Sequence, residues 1–238
     1  MANCESCPTS NNCKSKEDCQ IENNPHNKIK KVFAVMSGKG GVGKSTVSVL
    51  LAKTFCQKGY KVGILDADIT GPSIPRLLNV NGQKVGSSEY GLLPVETEQG
   101  IKVMSLNLLM PDEEQPVIWR GPIISTVVKQ FWKDVYWGEL DYLIVDMPPG
   151  TADVALTVMQ SIPINGMVMV TTPQDMVSMI VAKAINMAKT LNVPLIGVIE
   201  NMSYILCPKC GEKIKMFEDN GLNDFLQRMD LELLAELP

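Results

Sequence analysis

The chain has 238 residues, 45% hydrophobic and 20% charged, which is enough apolar sequence to bury a core and too much for a chain disordered throughout. A formal charge of −4 with a pI near 5.2 leaves no basic footprint for nucleic acid or an anionic membrane surface. No apolar run reaches the roughly 18 residues a membrane span requires, and the polar N-terminus lacks the apolar stretch of a secretory signal. The chain is therefore expected to work in the cytoplasm, with no nucleic-acid and no membrane partner.

Residues 1–28 hold four of the seven cysteines among Asn, Ser, Lys, Glu and Pro, with almost no apolar residues. Such a segment cannot pack a core of its own and is expected to be a tail, ordered by a ligand if at all. Residues 29–238 are expected to form the main domain. There, short apolar runs alternate with helical patterns. "VFAVM" (32–36), "KVGIL" (61–65), "IKVMSL" (101–106), "YLIVD" (142–146), "GMVMV" (166–170) and "LIGVI" (195–199) predict strands apolar on both faces, as in a covered parallel sheet. Helices are expected near 44–58, 122–136, 152–161 and 175–191. In the last, Met176, Met179, Ile180, Met187 and Leu191 form the expected buried face, with Lys183 and Lys189 off it. The Gly-, Ser- and Glu-rich stretch 81–100 reads as a hairpin excursion, and no internal repeat is present. Alternation of strand and helix predicts an α/β fold, a doubly wound and mostly parallel sheet.

The first expected strand runs into "GKGGVGKST", residues 38–46, and an expected helix follows. This is the setting of a phosphate-binding loop. Gly38, Lys39, Gly40, Gly41, Val42, Gly43, Lys44, Ser45 and Thr46 let backbone N–H groups surround phosphate oxygens, with a helix N-terminus adding positive potential. Lys44 is expected to reach the β- and γ-phosphates of a nucleotide and Ser45 to ligate Mg²⁺. Such a site also needs a carboxylate at a neighbouring strand end, and Asp146 in "YLIVDMPPG" is placed to hold the metal's water shell. Gly150 then offers a backbone N–H to a γ-phosphate. A second acidic pair, Asp66 and Asp68, follows the next strand in "ILDADITGPS".

In "CPKCGEK", Cys207 and Cys210 have the Cys-x2-Cys spacing of a thiolate chelate for zinc or an iron–sulfur cluster, but two thiolates are half a site. Two copies in a symmetric dimer would complete it; half a zinc knuckle or a redox pair are the alternatives. In the tail, Cys4, Cys7, Cys13 and Cys19 are four thiolates that could fold around a metal, zinc or four-iron cluster. Cys56 reads as a small core residue, and His26, in a polar linker, has no assigned role.

Lys39 is not required by a phosphate loop, and with it "GKGGVGKST" resembles the deviant Walker A motif of the MinD/ParA-type dimerising ATPases. The resemblance implies a nucleotide-sandwich dimer in which Lys39 reaches the partner's phosphates, Asp68 orients the attacking water and Asp146 holds the Mg²⁺ hydration shell. A closer likeness is carried by "LDADITGPSIPRLL", "RGPIIS", "DYLIVDMPPGTAD", "TTPQD" and "ENMSYILCPKCGEK". Over residues 30–238 the chain resembles the Mrp/ApbC-type nucleotide-binding iron–sulfur cluster carriers. That implies a slow ATPase and homodimer whose Cys207 and Cys210 pairs share a [4Fe–4S] cluster, delivered to apo iron–sulfur proteins, with Asn201 recognising adenine. The tail's Cys-x2-Cys-x5-Cys resembles that of the family's tailed branch, although the fourth cysteine of that branch lies upstream and here Cys19 lies downstream. The family pattern is also expected to continue some tens of residues beyond Pro238. Other classes fit less of the sequence: a MinD/ParA-like spatial regulator leaves the cysteines unemployed, a zinc-stabilised ATP-binding module needs no hydrolysis, and electron transfer like that of the nitrogenase iron protein uses separated cysteines.

Overall fold

A computed structural model describes residues 21–69, 71–110, 121–151, 153–174, 179–215, 217 and 221–238. The four tail cysteines and Met176 lie outside the described residues.

The apolar runs become the interior strands of one eight-stranded sheet: β1 (Lys28–Ser37), β2 (Val62–Asp66), β6 (Lys102–Met104), β7 (Glu139–Asp146), β8 (Gly166–Thr171) and β9 (Leu195–Glu200). Two edge strands join them, β5 (Val95–Glu96) and β12 (Leu233–Glu236). The order is β12-β9-β8-β1-β7-β2-β6-β5, parallel throughout except that β5 runs against β6. Side-chain alternation along β1 divides the core: Val32, Ala34 and Met36 face one helical layer, and Val35 faces the other. Helix α1 (Lys44–Gln57) and the single turn α2 (Ile74–Leu77) cover the Val35 face. The opposite face carries α3 (Gly121–Asp134), α4 (Asp153–Ser161), α5 (Met179–Thr190) and α6 (Leu222–Met229).

The chain leaves β1 toward β2 through α1, and later returns on the other side of β1 through α4 and β8. β1 is thus the switch point of a doubly wound sheet, and its C-terminal end opens the crevice where such sheets bind ligands. The stretch 81–100 does leave the sheet as a hairpin, β3 (Gly86–Ser88) against β4 (Gly91–Leu93), before β5 rejoins it.

Two expectations are corrected, and one strand is added to those expected. The strand expected over 101–106 is shorter, because the chain turns into a 3-10 turn at Leu106–Leu108. The buried face of α5 is Val181, Ala184, Ile185 and Ala188, whereas Met179 is 70% exposed. Met179 and Ile180 occupy the first turn and are both exposed, whereas Val181, next along, is buried against Gly38. Finally, β12 was not anticipated. Its one-sided pairing with β9 leaves it only partly buried, so it lacks a continuous apolar run.

The end of the expected tail, residues 21–27, lies strapped across the base of α3 and α4. The Trp132 indole donates to the Ile21 carbonyl at 2.9 Å, and Ile21 N–H donates to Ser161 O at 3.0 Å. Buried Asn24 donates through Nδ2 to Tyr90 O at 2.7 Å and accepts from His26 N–H. Asn27 bonds both Val135 O and Gly138 N–H. Asn24 and Asn27 thus hold the segment by satisfying backbone groups, where an apolar sequence would hold it elsewhere.

Candidate nucleotide site and cysteine turn

Parallel register brings two acidic strand ends together beside β1: Val35 of β1 is level with Asp146, and Asp66 of β2 is level with it on the other side. The loop 38–43 leaves β1 above them, and Gly43 enters α1 in the left-handed region at φ 83°, as a residue without Cβ can. Lys44, only 6% exposed, donates to Asp146 Oδ2 at 2.7 Å and lies 3.8 Å from Asp68 Oδ2. Ser45 Oγ donates to Asp146 Oδ2 and Ser48 Oγ to Asp146 Oδ1, each at 2.6 Å. Asp146 is wholly buried and fully engaged, as a buried charge must be.

Asp66 is buried on the far side. Its carboxyl takes hydrogen bonds from Asp68 N–H, Ile74 N–H and Ser105 Oγ at 3.2–3.4 Å. Burial, followed by the charge of Asp146, pushes its pKa up to about 8, with Lys44 opposing. The shift favours the protonated, neutral form of Asp66.

Above this floor opens a cavity of about 450 Å³. Gly40, Gly41, Gly43, Lys44, Ser45 and Thr46 form one wall, and Asp68, Arg76, Pro149 and Met202 face them. The volume suits a small organic ligand, and the glycine wall beside a helix N-terminus suits its phosphates. Among the described residues no three His, Cys, Asp or Glu side chains converge as a cation site. Ser45 Oγ beside Asp146 nonetheless offers the hard oxygens that Mg²⁺ takes alongside phosphate and water.

Lys39 is exposed beside this cavity, its carbonyl accepting from Ser37 Oγ. Gly150 N–H donates to Ser37 O at 2.9 Å, which ties the loop after Asp146 to the end of β1. Asn201, just past β9, donates through Nδ2 to Val42 O at 2.9 Å. Sequence reasoning assigned no role to Ser48, Ser105, Arg76 or Met202. Ser48 alone left a local signal, four residues after Lys44 and so on the same helical face.

The cysteine pair follows the cavity wall closely along the chain. From Asn201 and the cavity-lining Met202 the chain enters β10 (Ile205–Leu206), turns at Cys207–Cys210, and returns as β11 (Lys213–Ile214). Gly211 N–H donates to Cys207 O, and Cys207 N–H donates to Glu212 O, closing the turn. N–H groups of Cys210 and Lys209, with the Cys210 thiol, stabilise the Cys207 thiolate and hold its pKa below that of an ordinary thiol. Cys210 is exposed, and half-exposed Ile205, Leu206, Ile214 and Phe217 flank the pair. Cys56, half-buried late in α1, hydrogen-bonds Gln99 O, and His26 packs edge-on against Tyr90.

A parallel sheet switching direction at a glycine loop, with a loop lysine and a strand-end aspartate beneath it, defines a P-loop nucleoside triphosphatase. The family model described as "ParA: NUBPL iron-transfer P-loop NTPase" matches residues 28–238, and the chain belongs to that family. A Clostridium perfringens protein named iron-sulfur cluster carrier protein is 50% identical over 99% of this chain and 84% of its own length. A Methanocaldococcus jannaschii protein of the same name is 47% identical over 99% and 83%. Among solved structures, a nucleotide-binding protein from Archaeoglobus fulgidus in complex with ADP superimposes with a TM-score of 0.78 at 45% identity, covering 88% of this chain and 82% of that one. The Pyrococcus furiosus cell division ATPase MinD shares the fold with a TM-score of 0.61 at 20% identity, covering 88% and 83%. Among the described residues no helix is long and apolar enough to cross a membrane.

Proposed function

We propose that this chain is an ATP-hydrolysing carrier that assembles a [4Fe–4S] cluster between two copies of itself and passes it to apo iron–sulfur proteins. The observation that carries this reading is the exposed Cys207–Cys210 turn, five residues beyond a residue lining the nucleotide cavity. One copy offers two thiolates, and a four-iron cluster takes four. A second copy related by two-fold symmetry supplies the other pair, and the apolar residues flanking the turn suit burial in that contact. The 45–50% identical relatives named for cluster carriage support the cargo.

Within the site, Lys44 and the loop N–H groups hold the phosphates, while Ser45 and Asp146 accommodate Mg²⁺. Mg²⁺ supplies charge neutralisation along the phosphate chain when bound. Asp68 faces the cavity where an attacking water is to be oriented, and Lys39, exposed at the rim, reaches the partner's nucleotide. Asn201 reads adenine with its amide oxygen. Hydrolysis is slow because the site is complete only in the dimer. The tail thiolates Cys4, Cys7, Cys13 and Cys19 are a second candidate ligand set, for zinc or an iron–sulfur cluster, and the protein works in the reducing cytoplasm.

Anaerobic reconstitution with iron and sulfide tests this. The chain is expected to hold about four iron and four sulfide per dimer at the turn, and about twelve of each if both tails also load. Cys207→Ala removes the bridging four and leaves nucleotide affinity unchanged. Tightly bound zinc without an iron–sulfur chromophore, or normal cluster delivery by Cys207→Ala, overturns the reading.

A further inference from the structure

Asn201 is committed to the phosphate loop by two observations. Its Nδ2 donates to Val42 O at 2.9 Å, across 159 positions of sequence. A Cβ added to Gly43 would lie 2.1 Å from the same nitrogen, so the amide fills the hollow that glycine leaves. Its own backbone is fixed in turn, since Asn201 N–H donates to Thr171 O at the end of β8. The amide is thus held by the sheet and presses on the loop, without flexible contacts between.

The carbonyl of Val42 and the N–H of Gly43 belong to one planar trans peptide and point in opposite directions. Holding the carbonyl therefore aims the N–H the other way. Val42 is buried and Gly43 lines the cavity. Gly43 is also left-handed, a conformation in which the flanking peptide is otherwise free to rotate at little cost. A hydrogen bond to the carbonyl polarises the same peptide and strengthens its N–H as a donor.

We propose that Asn201 is a positioning residue for phosphate: it orients the Val42–Gly43 peptide so that the Gly43 N–H donates to the bound nucleotide's phosphates. This role uses the Nδ2 donor, whereas recognition of an adenine amino group would use the amide oxygen. The two are separable by experiment.

The test is a chemical cycle on the full chain. Affinities for ATP and for purine riboside 5′-triphosphate, which lacks the 6-amino group, are measured by calorimetry with Mg²⁺ for the parent chain and Asn201→Ala. The proposal expects purine riboside triphosphate to weaken roughly tenfold, the size of a lost hydrogen bond to a buried backbone group, and ATP, whose 6-amino group the amide oxygen also reads, to weaken at least as much. The amide resonance of Gly43 gives a readout that general loosening would not. It moves on ATP addition in the parent chain and stays at its free position in saturated Asn201→Ala, while that of Ser45 still moves. Asn201→Asp keeps the size and the acceptor oxygen but removes the donor, and is expected to weaken both nucleotides at least as much. A loss for ATP alone, with purine riboside triphosphate unaffected, makes Asn201 an adenine contact only and overturns the proposal. Unchanged affinities, or a Gly43 resonance that still moves in both variants, overturn it as well.

Discussion

The ammonium of Lys44 rests 2.7 Å from the Asp146 carboxylate, with the carboxylate fully buried and the lysine 6% exposed. The residue that is to hold phosphate is paired with the residue that is to hold metal. Breaking a buried pair by removing one partner leaves an uncompensated charge and costs about 3–5 kcal/mol. Lys44→Ala is expected to lose about 3 kcal/mol in urea denaturation without nucleotide, and Asp146→Asn in that background to restore most of it. A stability loss below about 1 kcal/mol would show that Ser45 and Ser48 alone satisfy Asp146.

The same pairing makes nucleotide binding an exchange of cations. When phosphate draws Lys44 away, Asp146 needs another positive charge. Chelation of Mg²⁺ is expected to weaken ATP binding at least about tenfold in the parent chain. In Asp146→Asn the dependence on Mg²⁺ should shrink to a few-fold, as read by titration with and without EDTA.

Asp66 predicts a pH dependence of stability. Its unfolded carboxyl titrates near 3.8 and its folded one at about 8, raised first by burial. Below about pH 4 both states hold the proton. Between the two values only the folded state keeps it, so this contribution is full below about pH 4, falls as pH rises, and is gone above about 8. Asp66→Asn lacks it. The stability difference between parent and variant is expected to decline by at most about 1.4 kcal/mol per pH unit across that window. A flat difference would place the Asp66 proton elsewhere.

Much of the fold was legible because its strands are buried on both faces, so they stand out as unbroken apolar runs. The phosphate loop, Asp146 and the cysteine pair were readable from residue types at fixed spacing. What escaped depends on distant contacts. β12 carries Glu236 beside half-buried leucines because one of its edges is open. Asp66 looked like any strand-end carboxylate, and its raised pKa follows from burial and from the charge of Asp146, remote in sequence, with the hydrogen bond from Ile74 N–H opposing. The first turn of α5 matched the helical period but leaves Met179 and Ile180 exposed, and no periodicity reports that. The asparagine strap is polar in composition and packed in fact.

That strap carries its own prediction. Asn24→Ala removes the donor to Tyr90 O and the acceptor of His26 N–H. A loss of about 1–3 kcal/mol is expected, with new proteolytic cleavage between residues 21 and 28 under native conditions. Protection equal to the parent chain's would mean that Trp132 and Ser161 hold the segment unaided.

At the thiols, the N–H groups directed at Cys207 are expected to bring its alkylation midpoint in the metal-free protein below the roughly 8.5 of a free cysteine. Iodoacetamide labelling across pH, with the modified residue located by mass spectrometry, measures it. A midpoint at or above the free value would show that the turn does not hold a thiolate before metal arrives.

Only four residues separate Met202, in the cavity wall, from Cys207. Any coupling carried along so short an arc runs equally in both directions, whatever its size. Whatever factor a bound nucleotide imposes on the grip of the thiolates, a load on the thiolates must impose on the grip of the nucleotide. Cargo is then an effector as much as a passenger, and a loaded molecule and an empty one would sort themselves between nucleotide states without any further protein to tell them apart.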